Sequence, residues 1–247
     1  MPIFVKNENN SWISQPAAMG PFKGLQGGGV AGLMVHELET LAAEDNLGLA
    51  VSASVEFLRP TQAGVLETKP EITRRGRRVS VLSNQILKAG ELTARASVCF
   101  IQPMDMPAVE PPTAQVSNPG PLTVLPPKRA SHRQAWMMDN FEVRHADNGV
   151  IWFRYIDALI EGVTPLARVL GPADWTHGIG RPKSPRLADP NINLNVVLSR
   201  HPVGEFIGIL PHTVWMPNGI GMGEGVLSDT QGVFGRVSMS VALTPFG

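Results

Sequence analysis

The chain has 247 residues with 21 basic and 21 acidic side chains, so its formal net charge is zero. That balance argues against nucleic acid as the main partner, because binding phosphates normally needs a basic excess. Apolar residues make up 43%, enough for a substantial core, and the length fits one large domain or two smaller ones.

Residues 1–10 hold too short an apolar run for a signal peptide. No apolar stretch approaches the roughly 20 residues that span a bilayer. The single Cys99 cannot close an intrachain disulfide, which points to a reducing compartment. Together these readings predict a cytoplasmic protein without a membrane span. The six histidines show no metal-ligand spacing, so no metal is expected.

Residues 1–24 are rich in turns, with a short strand predicted over 11–15. Gly27, Gly28 and Gly29 then run into a helix predicted over 28–45. Ala31, Met34, Val35, Leu38, Leu41 and Ala42 recur at three- and four-residue steps and form one apolar stripe. Glu37, Glu39 and Glu44 fall off that stripe, and His36 is read as solvated. Glycines let a ligand approach the backbone, and the first turn of a helix has N–H groups without intrahelical partners. A polarised carbonyl oxygen or a phosphate suits such a place. Tight packing of helix on sheet would also explain the glycines.

Beyond the helix the period becomes two. Val51, Ala53, Val55 and Phe57 alternate with Ser52, Ser54 and Glu56 in a half-buried strand. Further strands are predicted over 65–74, 79–88 and 92–101. The polar turn holding Arg74, Arg75, Arg77 and Arg78 could meet phosphates, or be a solvated hairpin tip. One helix followed by hairpin-linked strands predicts an antiparallel sheet around a long helix. Residues 103–135 carry repeated prolines and are expected to form a linker between an N-terminal unit, 1–102, and a C-terminal unit, 136–247.

The second unit repeats the plan. A hairpin turns through Asp147-Asn-Gly149, and a helix over 160–175 is broken by Pro165 and Pro172. The strand over 192–198 matches 51–57, and Gly204, Gly219 and Gly232 answer Gly64, Gly76 and Gly90 at nearly constant offset. An internal duplication is expected. Gly27-Gly-Gly-Val-Ala-Gly32 formally matches the dinucleotide fingerprint, but neither a preceding buried strand nor βαβ alternation accompanies it.

Gly20-Pro-Phe22, Gln26-Gly-Gly28, Val55-Glu-Phe-Leu-Arg-Pro60 and Arg74-Arg-Gly-Arg-Arg-Val79 resemble the first half of a double-hotdog acyl-CoA thioesterase. Phe141-Glu-Val-Arg144, Val150-Ile-Trp-Phe-Arg154 and residues 232–243 resemble its second half. The group includes acyl-CoA thioesterase II. The resemblance implies an α+β double hotdog, two antiparallel sheets each wrapped around a helix and joined as a pseudo-dimer. It also implies metal-free hydrolysis of an acyl-CoA by direct water attack. Coenzyme A enters only as part of the substrate, and no separate cofactor is implied.

Carried over by position, the family's aspartate falls on Asn193, and its Ser or Thr on Thr213. Its glutamine falls in a window holding only Ser238, Met239 and Ser240. Asn193, Thr213 and the Gly28 N–H are therefore the expected catalytic groups. Gln26, Gly27, Gly29, Ser240, Arg75 and Arg77 are the expected substrate contacts. Asp189 and Asp174 are alternative carboxylates. A non-catalytic acyl-CoA or acyl-chain binding protein is the rival expectation. A hydratase ranks lower, because no histidine lies near Asp189 in sequence. Pairing of chains into a homodimer or larger homo-oligomer is expected, since hotdog sheets leave extendable edges.

Overall fold

A computed structural model describes residues 1–107, 123–124, 136–182 and 187–245. The first half of the chain contains strands β1 (Phe4–Lys6) and β2 (Trp12–Ser14), helix α1 (Gly27–Glu44), then β3 (Leu49–Phe57) and β4 (Val65–Thr68). It continues with β5 (Glu71–Arg74), β6 (Val79–Lys88) and β7 (Glu91–Ile101). Next come β8 (Thr123–Val124), β9 (Phe141–His145) and β10 (Ile151–Tyr155). Helices α2 (Pro165–Asp174) and α3 (Thr176–Gly180) follow. The chain then runs through β11 (Leu187–Ala188), β12 (Asn193–Leu198), β13 (Ile207–Trp215), β14 (Ile220–Asp229), β15 (Gly232–Ala242) and β16 (Thr244–Pro245).

The expected long helix is present. Ala31, Met34, Val35, Leu38 and Ala42 are buried as the stripe requires. The strand expected over 65–74 is two strands, because Pro70 has no N–H to give the ladder. The neighbouring Lys69 N–H bonds to the Asn84 side chain as well as to the Gln85 carbonyl. The helix expected over 160–175 is not broken at its prolines: Pro165 opens α2, Pro172 lies inside it, and a separate short helix, α3, follows Trp175.

The fold departs from the expected two sheets. One antiparallel sheet runs β1-β2-β4-β6-β7-β3-β12-β15-β14-β13-β10-β9-β8, with β5 also on β6. The junction is β3 against β12, where Leu194 pairs with Val55 and Val196 with Ala53. Each strand would otherwise be an open edge, and pairing satisfies its backbone groups. Outward from this junction the order is β3-β7-β6-β4 on one side and β12-β15-β14-β13 on the other. The N-terminus also reaches the second half of the chain, since the N–H groups of Ile3 and Phe4 donate to the carbonyls of Ala158 and Leu159. Of the expected linker, residues 103–107 and 123–124 are described. Thr123–Val124 pairs with β9, and the remainder lies outside the described residues.

Helix α1 packs against both the sheet and α2, which explains burial beyond its apolar stripe. Glu37 and Glu39, expected to face solvent, are buried. Glu37 accepts hydrogen bonds from Trp12 Nε1 at 2.8 Å and Asn84 Nδ2 at 3.3 Å. His36 is half-buried beneath the β1–β2 hairpin, edge-on to the Trp12 ring, and burial lowers its pKa.

Candidate active site

The N-terminus of α1 meets the C-terminus of α2. Gln26 is the N-cap of α1, and its Oε1 accepts the Gly29 N–H at 2.7 Å. Its Nε2 donates to Asp174 Oδ2 at 2.5 Å. Asn191 Nδ2 donates to Asp174 Oδ1 at 2.7 Å, and the Gly28 N–H donates to the same carboxyl group. Asp174 is thus surrounded by donors at the positive end of a helix dipole.

Burial pushes the Asp174 pKa up. The nearby His177 and the three donors pull it down. A protonated carboxyl would need an acceptor for its hydrogen, and the three named partners all offer hydrogens instead.

The glycine entry divides into distinct roles. A Cβ on Gly28 would come within 2.4 Å of the Leu170 carbonyl oxygen, so this glycine permits helix-to-helix contact. Its N–H belongs to Asp174 and that of Gly29 belongs to Gln26. The expected oxyanion donor Gly28 is therefore already engaged and buried. Gly27 remains: it is half-buried, and as the first helical residue its N–H lacks an intrahelical partner. A Cβ there would stand 3.2 Å from both Asp174 oxygens and 3.0 Å from Phe57 Cζ.

Several expected site residues are not brought here. Asn193 pairs with the exposed Glu56 on the sheet face away from the helices, because buried Leu194 takes the helix face. Its Oδ1 accepts the backbone N–H of Ser240 at 2.7 Å, and Ser240 is itself exposed. Thr213 faces α3, where a Cβ on Gly180 would come within 2.6 Å of its Oγ1. That oxygen is buried without a hydrogen-bond partner. Arg75 forms an ion pair with Asp45, the C-cap of α1, and Arg77 is exposed in the same turn. The helix has 18 residues, so that turn is about 27 Å along the axis from Gly27.

Asp189 sits close by with an unforeseen companion. Its Oδ2 lies 3.2 Å from His177 Nδ1, and both side chains are buried. The separation of 12 residues hid this pair in the sequence. By sequence Asp174 is only an alternative carboxylate, and nothing local marks Asn191 as its partner.

One cavity of about 540 Å³ lies over the middle of α1, lined by Phe4, Trp12, His36, Glu37 and Leu41 among others. Another, of about 410 Å³, lies between Trp215, Leu243 and Pro245. Neither is lined by Gln26 or Asp174. Among the described residues no group of three or more His, Cys, Asp or Glu could hold a metal, and no helix is long and apolar enough to cross a membrane.

Residues 15–101 match the family model of the acyl-CoA thioesterase N-terminal domain. The chain resembles the acyl-CoA thioesterases. A search of curated proteins finds no match. A putative thioesterase II from Thermobifida fusca YX superposes with a TM-score of 0.75 at 16% identity, covering 97% of this chain and 96% of that one. An acyl-CoA thioesterase II, TesB2, from Mycobacterium marinum gives 0.69 at 17% identity, covering 99% and 96%. A conserved protein of unknown function with hot dog fold from Alicyclobacillus acidocaldarius gives 0.70 at 15% identity, with 99% and 96% covered. The fold is therefore the hotdog fold.

Proposed function

We propose that the chain hydrolyses acyl-CoA thioesters by direct water attack. The observation that carries this reading is Asp174, a buried carboxylate from the second half held against the start of α1. Gln26 and Asn191 fix its two oxygens, and Gly27 supplies a neighbouring backbone N–H. The match of residues 15–101 to an acyl-CoA thioesterase domain supports the substrate class.

In this mechanism the thioester carbonyl oxygen lies at the Gly27 N–H. A water beside Asp174 attacks the carbonyl carbon and gives its proton to the carboxylate. The amide and the helix dipole stabilise the oxyanion. Collapse breaks the carbon–sulfur bond, and the departing thiolate takes the proton back. The products are a carboxylic acid and the free thiol of coenzyme A, with no separate cofactor. Substrate enters at the half-buried Gly27. The matching strand order on either side of the junction supports a duplicated, pseudo-dimeric chain. We further propose a cytoplasmic location, a place in fatty-acid metabolism and self-association.

A second reading, a binding module without turnover, is favoured by Glu39. That carboxylate caps α2 much as Asp174 caps α1, and capping alone explains it. Free-thiol release from a panel of acyl-CoAs separates the readings. Release that depends on Asp174 supports the hydrolase, and binding without release supports the module. Neither binding nor release would overturn both.

A further inference from the structure

The junction between the two halves ends beside Gly27. Val55 of β3 pairs with Leu194 of β12, and both are fully buried. Side chains alternate along a strand, so Phe57 and Ile192 take the same helix-facing side as that pair. They stand opposite each other, since the Phe57 N–H donates to the Ile192 carbonyl at 3.0 Å. Burial falls off at this step: Phe57 is half-buried and Ile192 is 53% exposed.

A single exposed isoleucine needs no explanation, but the place of this pair gives it one. A Cβ on Gly27 would find Phe57 Cζ at 3.0 Å and both Asp174 oxygens at 3.2 Å as its nearest neighbours. The ring edge and the carboxylate therefore bound the same small space beside Gly27. The next two glycines open no other space. A Cβ on Gly28 would meet the Leu170 carbonyl oxygen at 2.4 Å, and one on Gly29 would meet Met137 Sδ at 2.9 Å.

A thioester whose oxygen lies about 2.9 Å from the Gly27 nitrogen sends two arms away from its carbonyl carbon. The coenzyme A arm carries amides and phosphates, whereas a saturated acyl arm is apolar throughout. Asp174 faces the attacking water and gives an alkyl chain nothing to pack on. Phe57 and Ile192 are apolar, and covering them removes carbon surface from water.

We infer that Phe57 and Ile192 are specificity-determining residues: they form the wall that receives the first carbons of the acyl chain, and they select uncharged, saturated acyl groups longer than acetyl. This rests on the hydrolase reading above, with the carbonyl oxygen at Gly27. Ile192 is open to solvent, so the wall covers one side of the chain, and carbons beyond it gain nothing from the pair.

The test uses the full chain with the variants Phe57→Ala and Ile192→Ser, and thermal melts to establish folding. Val197→Ser is the control, because Val197 is 61% exposed on the opposite face of β12. The kcat/KM for thiol release is compared for acetyl-, butyryl- and hexanoyl-CoA. Full burial of a methylene is worth about fourfold, so a one-sided wall should give about twofold. Wild type is thus expected to prefer hexanoyl over acetyl by about sixteenfold, twofold for each of four methylenes. Phe57→Ala and Ile192→Ser should each reduce that preference to about fourfold or less, and Val197→Ser should leave it intact. No preference in the wild type, or a preference kept in full by either folded variant, would overturn the inference.

An arm independent of turnover measures binding by calorimetry. Its probes are S-(2-oxopropyl)- and S-(2-oxoheptyl)-coenzyme A, ketones in which a methylene separates the sulfur from the carbonyl, so that no thioester can be cleaved. If the wild type releases no thiol yet binds the longer ketone more tightly, and Phe57→Ala loses that difference, the hydrolase reading fails and the acyl wall stands. Equal affinity for the two ketones, or binding of neither, overturns the inference. If Phe57→Ala does not fold, Ile192→Ser carries the test, since about half of that side chain already lies in solvent.

Discussion

Asp174 and Glu39 occupy reciprocal places: each is a buried carboxylate on one helix that caps the start of the other. Asp174 of α2 accepts the Gly28 N–H of α1. Glu39 of α1 accepts the N–H groups of Leu166 and Ala167 of α2 at 3.1 and 3.0 Å. The residues at the N-cap positions correspond as well. Gln26 donates to Asp174 at 2.5 Å, and Thr164 Oγ1 donates to Glu39 Oε2 at 2.6 Å. The difference lies in the surroundings. A half-buried glycine stands beside Asp174, whereas the equivalent first helical position of α2 is Pro165, which has no N–H to offer.

Asp174→Asn should lower the turnover number for thiol release by about a hundred- to ten-thousand-fold, the usual contribution of a positioned base. The amide keeps the volume but cannot take a proton. Stopped assays with several acyl-CoAs measure this, with a melt as control. An unchanged rate in a folded variant removes Asp174 from the mechanism.

Gly28→Ala should destabilise the fold by about 1–3 kcal/mol, as for other overpacked sites. The new methyl would meet the Leu170 carbonyl at 2.4 Å and Asp174 Cβ at 2.6 Å, so the helices must separate. Chemical denaturation reads the loss. Stability equal to wild type would mean that the two helices are not in such close contact.

Burial raises the Glu39 pKa above its usual value. Between the unfolded and the folded pKa the native state therefore binds more protons than the unfolded chain. This group's contribution to stability is full below the unfolded value, near 4.5, and is lost as pH rises through the folded value. Asp174 acts in the same sense. Glu39→Gln should flatten the fall in melting temperature over this window. A slope identical to wild type would contradict a raised pKa at this position.

Asn193→Asp should not raise the rate of thiol release, because its side chain lies on the sheet face remote from α1. The new charge would face Glu56 across the ladder, and like charges so placed cost about 0.2–1 kcal/mol. Arg75→Ala and Arg77→Ala should leave KM for acyl-CoA unchanged, since both residues lie by the far end of α1. A rate gain at position 193, or a several-fold rise in KM at the arginines, would relocate the site.

Local sequence determined the elements. Three- and four-residue spacing of Ala31, Met34, Val35 and Leu38 fixed α1. Alternation fixed β3 and β12, and Asp147-Asn-Gly149 fixed the β9–β10 hairpin. These signals are legible because a helix or strand repeats its contacts every few residues. The site was not legible in that way. Gln26 and Asp174 are 148 residues apart, and only the packing of α1 on α2 brings them within 2.5 Å. Side chains alternate faces along a strand, so the burial of Leu194 turned Asn193 outward and away from the helices. Composition and periodicity set what the chain could build. Sheet register and helix contact decided which carboxylate reached the glycines.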